Sequence, residues 1–145
     1  MALVLDDHLL LSHLVGRLTG WPAQQVQDSA VYTTATWYYR VANAAVHGSG
    51  TGSLSGQIAS LPDDEQQLFR SKIRSLPDTI GLIGPRTLVP IMAALHAPRR
   101  LNYLSAEALA LALAVDASIA VRTNSPLLRD ACKATGVDFR VVDAP

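Results

Sequence analysis

Only one cysteine, Cys132, occurs in the 145 residues. That excludes a disulfide framework and a thiolate metal cluster, and its apolar setting reads as that of a small buried hydrophobe. An excess of charge of either sign is also missing, since 12 Lys and Arg balance 12 Asp and Glu. Net charge therefore advertises neither nucleic acid nor an anionic membrane, and any RNA contact requires a local basic patch. The N-terminus has no basic region and no long apolar run, because Ala2 to Leu5 lead straight to Asp6 and Asp7. No leader or membrane span is expected there, and a cytoplasmic location is the resulting expectation. From Val31 to Ser60 there is no carboxylate at all.

What is present has the balance of a packed globule, 49% hydrophobic against 17% charged. The length suits one domain over 1–145, able to bury roughly two-thirds of its unfolded surface. Ala2 to Leu5 reads as a strand, followed by a helix from His8 to Leu18 that Trp21 and Pro22 break. Val31 to Thr33 is β-branched and aromatic, and a helix from about Ala35 to Val46 follows. Between His47 and Gln57 the run GSGTGSLSG has neither periodicity nor bulk and reads as a flexible connection; it follows a helix and lacks the Lys of a phosphate loop.

Pro62 with Asp63, Asp64 and Glu65 starts a helix whose apolar face is Leu68, Phe69, Ile73 and Leu76, and Pro77 stops it. Ile80 to Ile83 suggests a short strand, and Leu88, Ile91, Met92 and Leu95 mark a helix ending before Pro98. A helix from Ser105 to about Val115, a strand at Ile119 to Val121, a helix from Pro126 to Thr135 stopped by Gly136, and a strand at Phe139 to Val142 complete the chain. This alternation implies an α/β fold with a mainly parallel sheet covered by helices. In such sheets ligands gather beyond the carboxyl ends of the strands, which directs attention to Asp6, Asp7 and Asn124.

Each candidate has a bland reading beside the chemical one. Asp6 and Asp7 suit either helix capping or a hard cation. Glu107 falls in the first turn of a helix that Ser105 would cap, where the helix dipole alone favours a carboxylate; packed as an α/β unit, it would approach Asp6. His8, His13, His47 and His96 form no metal-binding pair at helical spacing. Trp37, Tyr38 and Tyr39 offer base-stacking rings with Arg40 beside them for phosphate, but successive helix positions diverge, so at least one ring belongs to the core. Arg99 and Arg100 are a second small basic site or a solvated turn.

The stretch LSAEALALALAVDASIAVRTNSPLLRDACKATGVDFRVV, Leu104 to Val142, resembles the C-terminal half of PIN domains, and LVLDDHLLLSHLVG resembles their first strand and helix. The resemblance implies a three-layer α/β/α fold and, in most members, a magnesium- or manganese-dependent ribonuclease, including the toxins of bacterial toxin-antitoxin pairs. It implies Asp6 and Glu107 as catalytic metal ligands and Asn124 as a third ligand; Arg40, beside the aromatic cluster, is the candidate contact for RNA phosphate. Two departures stand out. The family's second acid should fall near Tyr39 or Arg40, inside the carboxylate-free stretch, and its Thr-x-Asp pattern is replaced by RTNSPLL, which puts Asn124 or Ser125 at the acid. Asp7, Asp116 and Asp130 are the acids left to compensate.

Three readings stay open. The first is a metal-dependent ribonuclease with a weakened site. The second is a non-catalytic PIN-like module acting through association, as a homodimer or with an antitoxin-like protein, on the apolar surface at Leu68 to Leu76 or Leu88 to Leu95. The third is a small-molecule binder on a generic α/β fold.

Overall fold

A computed structural model describes residues 1–48, 52–96 and 100–142. Five strands form one parallel sheet in the order β3-β2-β1-β4-β5: β1 (Ala2–Leu5), β2 (Ala30–Tyr32), β3 (Ile80–Gly81), β4 (Ala117–Val121) and β5 (Phe139–Val141). The register sets Leu3 opposite Val31 and Ser118, and Val4 opposite Ile119. Every pairing is parallel, so each connection must cross over the sheet, and helices fill those crossovers. Among the described residues there are eight: α1 (Asp7–Leu14), α2 (Gly20–Asp28), α3 (Ala35–His47), α4 (Ser53–Ala59), α5 (Asp63–Arg74), α6 (Pro85–His96), α7 (Tyr103–Val115) and α8 (Pro126–Thr135). The architecture is the expected three-layer α/β/α arrangement.

The pleat divides the strands between two cores. Val4, Ala117, Ile119 and Val121 pack with α6, α7 and α8, while Leu3, Leu5, Val31 and Ala120 pack against Leu9 and the α2 residues Trp21 and Val26. Both faces are covered, which is why β1 is continuously apolar rather than alternating. A third cluster joins Leu10, Leu11 and Leu14 of α1 to Val41, Ile58, Phe69 and Ile73, tying α3, α4 and α5 to the sheet through α1. Alternating Ala and Leu make α7 apolar on every side, and it is buried from Ser105 to Ala112 as the central helix of its layer.

Several local expectations need correcting. Pro22 does not break a helix; it occupies the third position of α2, where a backbone N–H has no intrahelical acceptor to lose. Helix α7 begins at Tyr103 rather than at Ser105, because the Asn102 side chain accepts the Ser105 N–H at 2.8 Å. Part of the expected flexible connection is helical, since α4 starts at Ser53, and Leu54 and Ile58 anchor it in the third cluster; residues 49–51 and Arg99 lie outside the described residues. Strand β3 is only two residues long, and a Cβ at Gly81 would meet the Tyr32 ring at 2.5 Å, so glycine is required beside that ring.

The apolar faces named for association are mostly spent indoors. Phe69 and Ile73 lie in the third cluster, and Leu88, Met92 and Leu95 are buried against α7. No helix among the described residues is long and apolar enough to cross a membrane. Because Phe69 is fully buried where α1, α3 and α5 meet, Phe69→Ala should cost about 3–5 kcal/mol, read as a lower urea midpoint at unchanged slope.

Candidate functional site

The order of strands reverses at β1: the chain moves outward to β2 and β3, then returns to the other side of β1 with β4. Beyond the carboxyl ends of β1 and β4 lies the switch point at which an open α/β sheet offers a crevice. Asp6 stands there, 4% exposed, as the N-cap of α1. Its Oδ1 accepts the Leu9 N–H at 2.9 Å, and its Oδ2 accepts the Arg122 N–H at 2.7 Å from the segment that leaves β4. Its own N–H donates to the Ala120 carbonyl at 3.2 Å. One side chain thus starts a helix and ties two strand ends together.

Burial dominates the electrostatics of this group. Removal from water pushes the Asp6 carboxyl up to about 6 from an ordinary 3.8, against the two N–H donors that favour its charge, and the neighbouring Asp7 adds a smaller push upward. Asp7 is buried too. Its Oδ1 accepts the His8 N–H at 2.8 Å, while Oδ2 faces the Arg40 Nε at 3.3 Å. That contact is an ion pair by distance but is not aligned as a hydrogen bond, and Oδ2 has no other protein donor among the described residues.

Glu107 is 5% exposed and lies in the second turn of α7, since Asn102 rather than Ser105 caps the helix. The dipole reading at its own helix start is therefore overturned. Its Oε1 instead accepts the Thr36 N–H at 3.1 Å, in the first turn of α3, so the carboxylate serves the N-terminus of a different helix. Thr34 completes that end by accepting the Trp37 N–H, and Thr33 donates to the Leu5 carbonyl at 2.9 Å. The segment from Thr33 to Thr36 therefore touches the strand end next to Asp6 and also Glu107, which places both acids at one edge of the sheet.

The other sequence candidates make no hydrogen-bonded contact with these two acids. Asn124 is exposed in the turn after β4, where Ser125 caps α8, and no hydrogen bond joins it to Asp6 or Glu107. Asp116 precedes β4 and so lies at the opposite edge, where it ends α7 in the left-handed conformation (φ 53°). Asp130 is exposed on α8 beside Arg129. Among the described residues, no three His, Cys, Asp or Glu side chains converge as a cation site. The aromatic trio divides as helix geometry requires: Trp37 is core, Tyr38 donates to the Ile73 carbonyl at 2.6 Å, and Tyr39 is 68% exposed. Cys132 is buried, and its thiol is pushed up to about 12 by that burial, as an inert core group should be.

Sequence reasoning missed a polar network next to Asp6. The two ring nitrogens of His8 face Gln57 Oε1 at 3.2 Å and Ser53 Oγ at 3.3 Å, and Gln57 Nε2 reaches Ser12 Oγ at 3.3 Å. The partners come from α4, inside the run read as a linker, and only the apolar spacing of Leu54 and Ile58 signalled a helix there. His13, by contrast, is held below its ordinary value by burial and then by Lys72. Compared with protein-family models and with curated proteins, the sequence matches none.

Because the Asp6 carboxyl is raised in the folded chain, it contributes stability below its unfolded value that is lost as pH rises through about 6. The unfolding free energy of wild type relative to Asp6→Asn should therefore fall by on the order of 3 kcal/mol from about pH 4 to about pH 7. Urea unfolding at both pH values measures that difference, and a difference that stays constant with pH would refute the buried-acid assignment.

Proposed function

We propose that the protein is a non-catalytic PIN-like module whose acidic edge is satisfied by the protein's own donors, and that it acts through association with a second copy or a small antitoxin-like protein. The observation that carries this reading is the pairing of Arg40 with Asp7. Arg40 stands where the resemblance calls for an acid, and its guanidinium supplies positive charge to Asp7, the acid next to Asp6. The other acids are committed in the same way, both oxygens of Asp6 to backbone N–H groups and Oε1 of Glu107 to α3.

This donor set fits a magnesium or manganese ion poorly. Such cations favour several anionic oxygens free to turn toward the metal, whereas here one acid is replaced, another position holds an exposed amide, and both oxygens of Asp6 are held by backbone N–H groups. The association half of the proposal falls on the exposed part of α6 and α7. Val89 and Tyr103 flank an apolar groove of about 490 Å³ floored by Met92, Leu101 and Ala106.

The ribonuclease reading keeps one specific support, the placement of Asp6 and Glu107 at the same edge through the Thr33 to Thr36 segment. Manganese titration separates the two. Wild type should neither bind manganese in the submillimolar range nor cleave RNA with it, whereas Arg40→Glu, which removes the guanidinium and restores an acid, should gain a manganese-dependent rise in its thermal midpoint. Binding by wild type that disappears in Asp6→Asn, together with RNA cleavage, would select the ribonuclease. For association, sedimentation should show an oligomer or a partner complex that Tyr103→Asp dissociates; a monomer that binds nothing would sink that half of the reading.

A further inference from the structure

A groove of about 460 Å³ opens between α1 and α4 at the β1/β4 switch point, a volume in the range of small-ligand sites. The chain as a whole carries no net charge, yet this groove is lined by Arg17, Arg122 and His8 and, among the described residues, by no carboxylate. It is the local basic patch that composition alone could not reveal. Hydroxyl and amide groups of Ser12, Ser53, Ser60, Thr123 and Gln57 share the lining with the two arginines, and Leu11, Val15 and Leu61 add apolar wall.

Two of the lining residues are rooted in fixed structure. The backbone of Arg122 is held by Asp6, and the His8 ring is held between Gln57 and Ser53. The nearest acid on α1, Asp7, has Arg40 as its counter-charge. At the rim, Glu65 takes one edge of Arg17 at 2.7 Å. That bridge is exposed on both sides and contributes little, so an incoming anion can compete for the guanidinium.

We propose that this groove binds a small phosphate ester. Two guanidinium groups with interspersed hydroxyls match the oxygens of a terminal phosphate, and the apolar wall suits a compact organic remainder. Single-stranded RNA offers the same phosphate chemistry but is held on aromatic stacking platforms, and no Phe, Tyr or Trp among the described residues lines the groove. The inference does not depend on the PIN-like reading, because neither Glu107 nor a metal takes part.

The test is an NMR titration of wild type, Arg122→Gln and Arg17→Gln with adenosine monophosphate, inorganic phosphate and a short single-stranded oligoribonucleotide. Adenosine monophosphate should bind wild type in the submillimolar range, shift resonances of α1, α4 and residues 122–123, and weaken about tenfold or more in each variant. Arg17 is half-exposed, so Arg17→Gln carries the test even if Arg122→Gln unfolds. No binding of either phosphate compound, binding indifferent to both substitutions, or tighter binding of the oligoribonucleotide through the same arginines would overturn the proposal.

Discussion

A carboxylate taken out of water at the end of a central strand is costly unless its oxygens find donors, and at this position they find two. Asp6 accepts one N–H from the first turn of α1 and another from the segment leaving β4. Those bonds fix where the first helix begins and how the ends of β1 and β4 meet. They do not remove the cost of burial, which still raises the carboxyl to about 6. Everything else at this edge is arranged around that compromise: the neighbouring Asp7 is balanced by Arg40, and Glu107 is turned to the N-terminus of α3.

The same arrangement underlies the proposal that this acidic edge does without a metal. An acidic site that holds a divalent cation relies on the metal to offset repulsion among its carboxylates. In this chain a guanidinium and four backbone N–H groups are the partners of these carboxylates. The carboxylates are thus part of the framework that positions α1, α3 and β4, and the groove beside them, lined by arginines rather than acids, has the opposite electrostatic character.

Much of the architecture was legible in the residues themselves. The apolar run of β1, the strong pattern from Leu104 onward and the Gly136 stop specify a parallel α/β sheet, because a strand buried on both faces must read as continuously apolar. Local details escaped where one residue type has two uses. Pro22 ends helices in their interior but is neutral in their first turn; Ser105 and Asn102 are both competent caps, and only the folded backbone selects Asn102. The run containing α4 looked like a linker because its glycines outweigh its two buried anchors, Leu54 and Ile58. The site was less legible than the fold. The strand-end rule pointed to Asp6, and the packing of α7 to Glu107, but the Asp7–Arg40 pair and the His8–Gln57 contact join residues 33 and 49 positions apart, and such contacts leave no periodic trace.

The most direct test of the account follows the Asp6 side-chain carboxyl carbon by NMR through a pH titration, with and without a large excess of magnesium. If the edge is satisfied by the protein itself, Asp6 titrates near 6 in both conditions. A midpoint displaced well downward by magnesium would mean that the metal competes successfully with the proton at this carboxylate, and it would contradict the account.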